Sequence, residues 1–247
     1  MWPYPKIVAH RGGGSLAPEN TLAAMQCGLD HGFRAVEFDV MLSKDGIPVL
    51  MHDADFGRTV AGSGSVSDTL GYDLMQMDAG SWFAPQFVNS RVPSYEAAFL
   101  FCQTHGIWMN VEIKPALGFE KETGSVVASV TEKLLKAQGA TALPPLFSSF
   151  SFDALMCAKQ RAPDISRAYL LDEYDSNWLD ILQNLGAIAL HTNQKNLTPA
   201  WAKSVKEAGF GLFCYTVNEP DRGREIMAWG VDGFCTDRID LIGPDFS

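Results

Sequence analysis

The sequence predicts a (β/α)8 barrel, and three observations carry that prediction. Eight short β-like runs, at residues 6–11, 35–42, 108–114, 146–150, 167–171, 187–191, 211–217 and 233–237, alternate with helical stretches or long connections. Repeated strand and helix units imply parallel strands, and a chain of 247 residues holds eight of them in a single domain over 1–247. The glycines after the first run, Gly12, Gly13 and Gly14, do not spell the Gly-x-Gly-x-x-Gly of a doubly wound dinucleotide-binding sheet and read only as a flexible loop.

Taken in order, the first run ends in His10-Arg11, at the end of the strand where barrel active sites sit. A helix opens near Asn20, which reads as its N-cap within Pro18-Glu19-Asn20-Thr21. In the second run, Val36-Glu37-Phe38-Asp39-Val40, the acids are two apart and share a face, while Val36, Phe38 and Val40 take the face that meets the helices. Glu37 and Asp39 therefore point into the barrel.

Residues 43–105 interrupt the alternation with an insertion that contains Ala61-Gly62-Ser63-Gly64-Ser65 and shows little helical period. It begins with a β-hairpin signal, Asp45-Gly46 between Val40, Leu42, Ile47 and Val49. With Asp45 and Gly46 as the two residues of a type I′ turn, Asp39 lies opposite His52 and Glu37 opposite Ala54, which returns His52 to the mouth of the barrel. Tyr72, Trp82, Phe83 and Phe87 read as a satellite core in preference to a lid.

The third barrel run, Met109-Asn110-Val111-Glu112-Ile113-Lys114, repeats the pattern and turns Asn110, Glu112 and Lys114 inward. Further helices start near Glu120, Ser151, Asn177, Thr198 and Pro220. His31 and His105 each precede a glycine at a helix end and read as solvent-facing. His191 ends a barrel strand, and Tyr215 and Asn218 stand near the mouth end of another.

Composition narrows the function classes. Acidic residues outnumber basic ones 29 to 19, for a net charge of −10 without a Lys/Arg stripe, which argues against nucleic acid as a partner. No apolar run is long enough to span a bilayer, and the first six residues lack the apolar region of a signal peptide, so no membrane insertion is expected. Cys27, Cys102, Cys157, Cys214 and Cys235 are odd in number, widely spaced and set in apolar segments, as buried free thiols are in the cytoplasm.

The inward acids carry the chemistry. Unpaired carboxylates inside a barrel cost several kcal/mol unless a cation or proton neutralises them. Glu37, Asp39 and Glu112 offer hard oxygen donors without Cys or His at ligand spacing, which favours one divalent cation, Mg2+ or Ca2+, over zinc. Arg11 and Lys114 bring a fork of donors and a point charge suited to a phosphate. His10 and His52 then serve as general base and general acid on opposite sides of the phosphorus.

These residues resemble the glycerophosphodiester phosphodiesterases: His10-Arg11 with Pro18-Glu19-Asn20-Thr21, Glu37-Phe38-Asp39, Lys44-Asp45-Gly46, His52-Asp53 and Glu112-Ile113-Lys114 stand in the family's order, as do Asp78-Ala79-Gly80 and Thr216-Val217-Asn218. Length and the missing signal look like the short cytoplasmic bacterial branch. The resemblance implies a TIM barrel with a small insertion, a small-molecule substrate drawn from deacylated phospholipids, and release of glycerol 3-phosphate and an alcohol. Residue by residue, it implies His10 and His52 as the acid-base pair, Glu37, Asp39 and Glu112 as metal ligands, and Arg11 and Lys114 as phosphate contacts. Two other readings share these residues: a lyase that stops at a cyclic phosphate, and a binding module that senses glycerophosphodiesters. Tyr215 stands where the family commonly has Trp, and Arg238 where Pro often follows Thr-Asp.

Overall fold

The computed structural model describes residues 2–247 and closes eight parallel strands into a barrel: β1 (Ile7–Ala9), β2 (Ala35–Leu42), β4 (Trp108–Ile113), β5 (Leu146–Ser149), β6 (Arg167–Leu171), β7 (Ala189–Asn193), β8 (Gly211–Tyr215) and β9 (Gly233–Thr236). β9 pairs with β1 and β1 with β2, which completes the ring. The remaining strand, β3 (Pro48–Leu50), runs antiparallel to the far end of β2 as the return arm of a hairpin.

The predicted helices all form, three of them with a side-chain cap. They are α1 (Leu22–Asp30), α4 (Glu120–Gln138), α5 (Phe152–Arg161), α6 (Trp178–Leu185), α7 (Pro199–Glu207) and α8 (Pro220–Ala228). Ser151 and Thr198 cap α5 and α7 by accepting the backbone N–H three residues on. The cap of α1 is Thr21, whose hydroxyl accepts the Ala24 N–H, and not Asn20 as the sequence suggested.

Residues 43–105 divide in two. Their last part is a helix, α3 (Tyr95–Thr104), capped by Ser94, with Tyr95, Ala98, Phe99 and Cys102 packed in the barrel's main core. Its sequence, Tyr95 to Thr104, carries only Glu96, Gln103 and Thr104 as polar contrast to its apolar face, a weak helical period. The rest, with the short helix α2 (Gly71–Leu74), wraps a small core of Met41, Val49, Met51, Val60, Val66, Leu74, Ala79 and Val92. The expected aromatic core is not this one. Trp82, Phe83 and Phe87 meet edge to face outside it, and Tyr72 is largely exposed.

The hairpin register also departs from expectation by one residue. Leu42 pairs with Pro48 and Val40 with Leu50, which leaves Lys44, Asp45 and Gly46 between the closing residues Ser43 and Ile47. Only Gly46 has positive φ, +76°, where a type I′ turn would need two such residues; this is a three-residue loop ending in a left-handed glycine. Asp45 spends its carboxylate on the Ser43 hydroxyl and the Gly71 N–H, anchoring the loop to α2. Asp39 consequently accepts from the N–H of Met51, and His52 lies beyond the paired stretch.

The glycines after β1 are tightly packed and do not form a flexible loop. A Cβ on Gly14, at φ +53°, would stand 2.2 Å from the Asp237 carbonyl oxygen, so only glycine lets the end of β9 come this close to β1.

Candidate active site

Register partners in a parallel sheet point the same way, so the pairings Glu37 with Asn110 and Asp39 with Glu112 put all four side chains in the barrel lumen. One carboxylate oxygen from each of Glu37, Asp39 and Glu112 lies within 4.8 Å of the others, enough for one cation to touch all three. Asp39 is the best supported. Asn20, buried and left-handed at φ +57°, donates to its Oδ2 at 2.8 Å and accepts its backbone N–H at 3.1 Å; Lys114 Nζ reaches its Oδ1 at 3.2 Å.

The crowding is visible in proton affinities. Burial, then the Asp39 charge, pushes Glu37 up to about 7; burial and the same neighbour push Glu112 well above the usual carboxylate range. Burial alone would raise Asp39 as well, but Lys114 and Arg11, helped by His52 and Asn20, outweigh it and hold the carboxyl low. A hard cation among these oxygens relieves the repulsion, so the donor set fits Mg2+ or Ca2+.

His10 and His52 are oriented alike from different elements. His10 donates Nδ1–H to Asp237 Oδ1 at 2.6 Å, which turns Nε2 toward Glu37 Oε2 at 3.7 Å. Asp237 is itself held by Asn218, through Nδ2 to Oδ2 at 2.9 Å and through the Asp237 N–H to Asn218 Oδ1 at 2.8 Å. His52 donates Nδ1–H to the adjacent Asp53 at 2.6 Å. Both rings thus keep Nε2 free for proton transfer. Burial lowers His10, but Asp237 and Glu37 more than compensate and raise it; at His52, burial together with Arg11 and Lys114 outweighs Asp39 and Asp53, and its proton affinity is lowered.

Arg11 is left-handed at φ +49°, donates its backbone N–H to Glu37 Oε2 at 3.1 Å and its guanidinium to Glu19 at 2.7 Å. A cleft of about 320 Å³ borders His10, Arg11, Glu19 and Asp237, with Trp82 and Phe83 as its aromatic wall. A second, of about 420 Å³, borders Glu112, Lys114, Leu117 and Phe150.

Residues 10–241 match the profile of the glycerophosphoryl diester phosphodiesterase family. The chain belongs to this family. Among its relatives, the glycerophosphodiester phosphodiesterase of Caldanaerobacter subterraneus subsp. tengcongensis is 30% identical over 94% of this chain and 93% of its own. The solved phosphodiesterase of Oleispira antarctica, in complex with the product sn-glycerol-3-phosphate, is 35% identical, covers 94% of this chain and 93% of its own, and superposes with a TM-score of 0.88. The family's structure from Thermotoga maritima is 26% identical, covers 98% of each chain and has a TM-score of 0.75. The chain is accordingly a glycerophosphodiester phosphodiesterase on a TIM barrel.

All seven site residues expected of this phosphodiesterase lie at one mouth. His191 does not. β7 continues to Asn193, so His191 sits inside the barrel against Phe213, and burial pushes it down to about 3, a neutral core ring. His31 and His105 cap α1 and α3, each with Nδ1 on a carbonyl oxygen of its own helix. Tyr215 turns its hydroxyl to Asp172, 3.4 Å away. The sequence reading missed Asp237 and assigned no site role to Glu19, Asp53 or Arg58. The signal was present for Asp237, an acid ending a barrel strand as His10 does.

Proposed function

We propose that this enzyme hydrolyses glycerophosphodiesters from deacylated phospholipids to sn-glycerol 3-phosphate and an alcohol, with one divalent cation, Mg2+ or Ca2+, and with His10 and His52 moving the protons. The observation that carries the reading is that two carboxylate-oriented imidazoles, three carboxylates and two cationic side chains meet at one mouth. The product held by the Oleispira antarctica relative supports the glycerol 3-phosphate end.

Bound by Glu37, Asp39 and Glu112, the cation would neutralise phosphate charge and act as a Lewis acid. Arg11 and Lys114 would hold the phosphate oxygens, the first as a fork and the second as a point charge. His10 is the more enclosed ring, with a side chain 17% exposed against 29% for His52, and stands beside Glu37. It takes the proton of the attacking water. His52, on the open hairpin edge, gives its proton to the departing alcohol. The free thiols Cys27, Cys102, Cys157, Cys214 and Cys235 support a reducing, cytoplasmic setting.

Leaving-group dependence tests this division. His52→Ala should lower kcat on glycerophosphocholine by about 10² to 10⁴, and by less on a p-nitrophenyl phosphodiester, whose leaving group needs no proton. His10→Ala should be impaired on both. Equal losses for both variants on both substrates would reject the roles, and an undiminished kcat in His52→Ala would reject the site. Accumulation of a cyclic phosphate in place of glycerol 3-phosphate would mark a lyase.

A further inference from the structure

Beyond the residues that would touch substrate, one side chain joins the supports of two of them. Arg58 lies in the insertion, in a turn closed by the Gly57 N–H on the Val60 carbonyl at 2.7 Å, with Val60 buried in the insertion's core. From this fixed base its guanidinium makes three bonds: Nε to Asp53 Oδ2 at 2.6 Å, and the two terminal nitrogens to the two oxygens of Glu19 at 2.6 and 2.7 Å. Each acid also holds a site residue, Asp53 with its second oxygen and Glu19 with the Oε1 that it shares with Arg58. Asp53 Oδ1 accepts from His52, and Glu19 Oε1 accepts from Arg11.

We propose that Arg58 is a positioning residue that sets His52 and Arg11 relative to each other, through Asp53 and Glu19. The chain is Arg11, Glu19, Arg58, Asp53, His52, and it alternates cation and acid without a gap. Both ends point into the mouth, one from the loop after β1 and the other from beyond β3. Half-exposed ion pairs contribute little to stability, so a fold-stabilising task is a poor account of this one. A guanidinium is suited to the geometric task, since its planar fork fixes one carboxylate in two dimensions while Nε fixes a second. A lysine would offer one freely rotating nitrogen in place of this fixed fork. The insertion would then do more than cover the barrel: it would position a proton donor against a phosphate contact.

The proposal rests on the assignment of His52 as donor to the leaving group, and the experiment separates the two. Arg58→Met, Arg58→Lys, Asp53→Asn, His52→Ala and the Arg58→Met/Asp53→Asn double variant are assayed with metal on glycerophosphocholine and on a p-nitrophenyl phosphodiester, with thermal melts as controls. Arg58→Met should lose about 10- to 100-fold in kcat on glycerophosphocholine, the usual range for groups that orient an active-site ligand. Its loss on the p-nitrophenyl ester should be smaller, and KM should rise on both through Arg11. Arg58→Lys should recover part of the loss, millimolar guanidinium should rescue Arg58→Met, and the double variant should be no worse in kcat than Asp53→Asn. Equal losses on both substrates, or an unchanged kcat, in an Arg58→Met protein that melts like wild type would overturn the positioning role while His52→Ala keeps its leaving-group signature. If His52→Ala itself lacks that signature, the donor assignment fails and this proposal falls with it.

Discussion

The two ends of the barrel are built from the same strands and do opposite things. At the end where strands begin, Val8, Ala35, Trp108, Leu146, Ala168, Ala189, Phe213 and Cys235 form a dry plug, sealed by Tyr4 stacked on Trp108 at 4.4 Å and Trp2 stacked on Phe213 at 5.6 Å. At the end where strands finish, the same inward rows carry Glu37, Asp39 and Glu112 with His10, and the carboxylates strain against one another. The difference shows how one lumen hosts a destabilising site: the aromatic floor stabilises what the charged mouth weakens.

That contrast is broken most severely at the floor. Phe213→Ala should cost about 3–5 kcal/mol in a denaturant melt, because the ring is buried between Trp2 and His191. The folded fraction should keep its kcat; a variant with wild-type stability and lost activity would mean that floor and mouth are not separable.

Metal affinity probes the mouth itself. Glu112→Gln should fold normally and bind Mg2+ or Ca2+ far more weakly by calorimetry, since one of the three proposed oxygen ligands loses its charge. Asn20→Ala should weaken binding by about 10- to 100-fold, the range for a lost outer-shell contact, because Asp39 loses both of its Asn20 bonds. Unchanged affinity in either would contradict the ligand set.

The strain has a pH signature in chelated protein. Glu37 takes its proton near 7 when folded and at the ordinary carboxylate value, 4.5, when unfolded. Between those values the folded state holds a proton the unfolded state has released, so stability falls as pH rises. The wild-type Tm should therefore drop more from pH 5 to pH 8 than that of Glu37→Gln; parallel curves would show that neither burial nor Asp39 raises the proton affinity of Glu37. The smallest effect belongs to the outer surface: Lys203→Ala breaks an exposed pair with Glu207 and should move stability by less than about 0.5 kcal/mol.

How much of this was legible in the sequence follows the same division. Period-two alternation names inward residues whichever layer they occupy, so Glu37, Asp39, Glu112 and Lys114 were visible, as were His10 and Arg11 at a strand end. Register was less so, since Asp45-Gly46 serves two- and three-residue loops alike, and the choice turns on a bond from Asp45 to Gly71, 26 residues away. Asn20 and Arg58 act through partners 19 and 39 residues distant, and no local pattern announces such pairings; the strand end placed Asp237 at the mouth but not its bond to His10, 227 residues away. Asn20 in particular looked like a cap because Asn favours that position, whereas its left-handed backbone serves Asp39.

The central claim is that a divalent cation held by Glu37, Asp39 and Glu112 is needed to release glycerol 3-phosphate, and one assay tests it directly. Protein dialysed against EDTA is given glycerophosphocholine and sn-glycerol 3-phosphate is measured before and after Mg2+ or Ca2+ is added in excess of chelator. The account predicts no turnover before addition and restored turnover after it; full activity in excess EDTA, with the metal dialysed away, would contradict it.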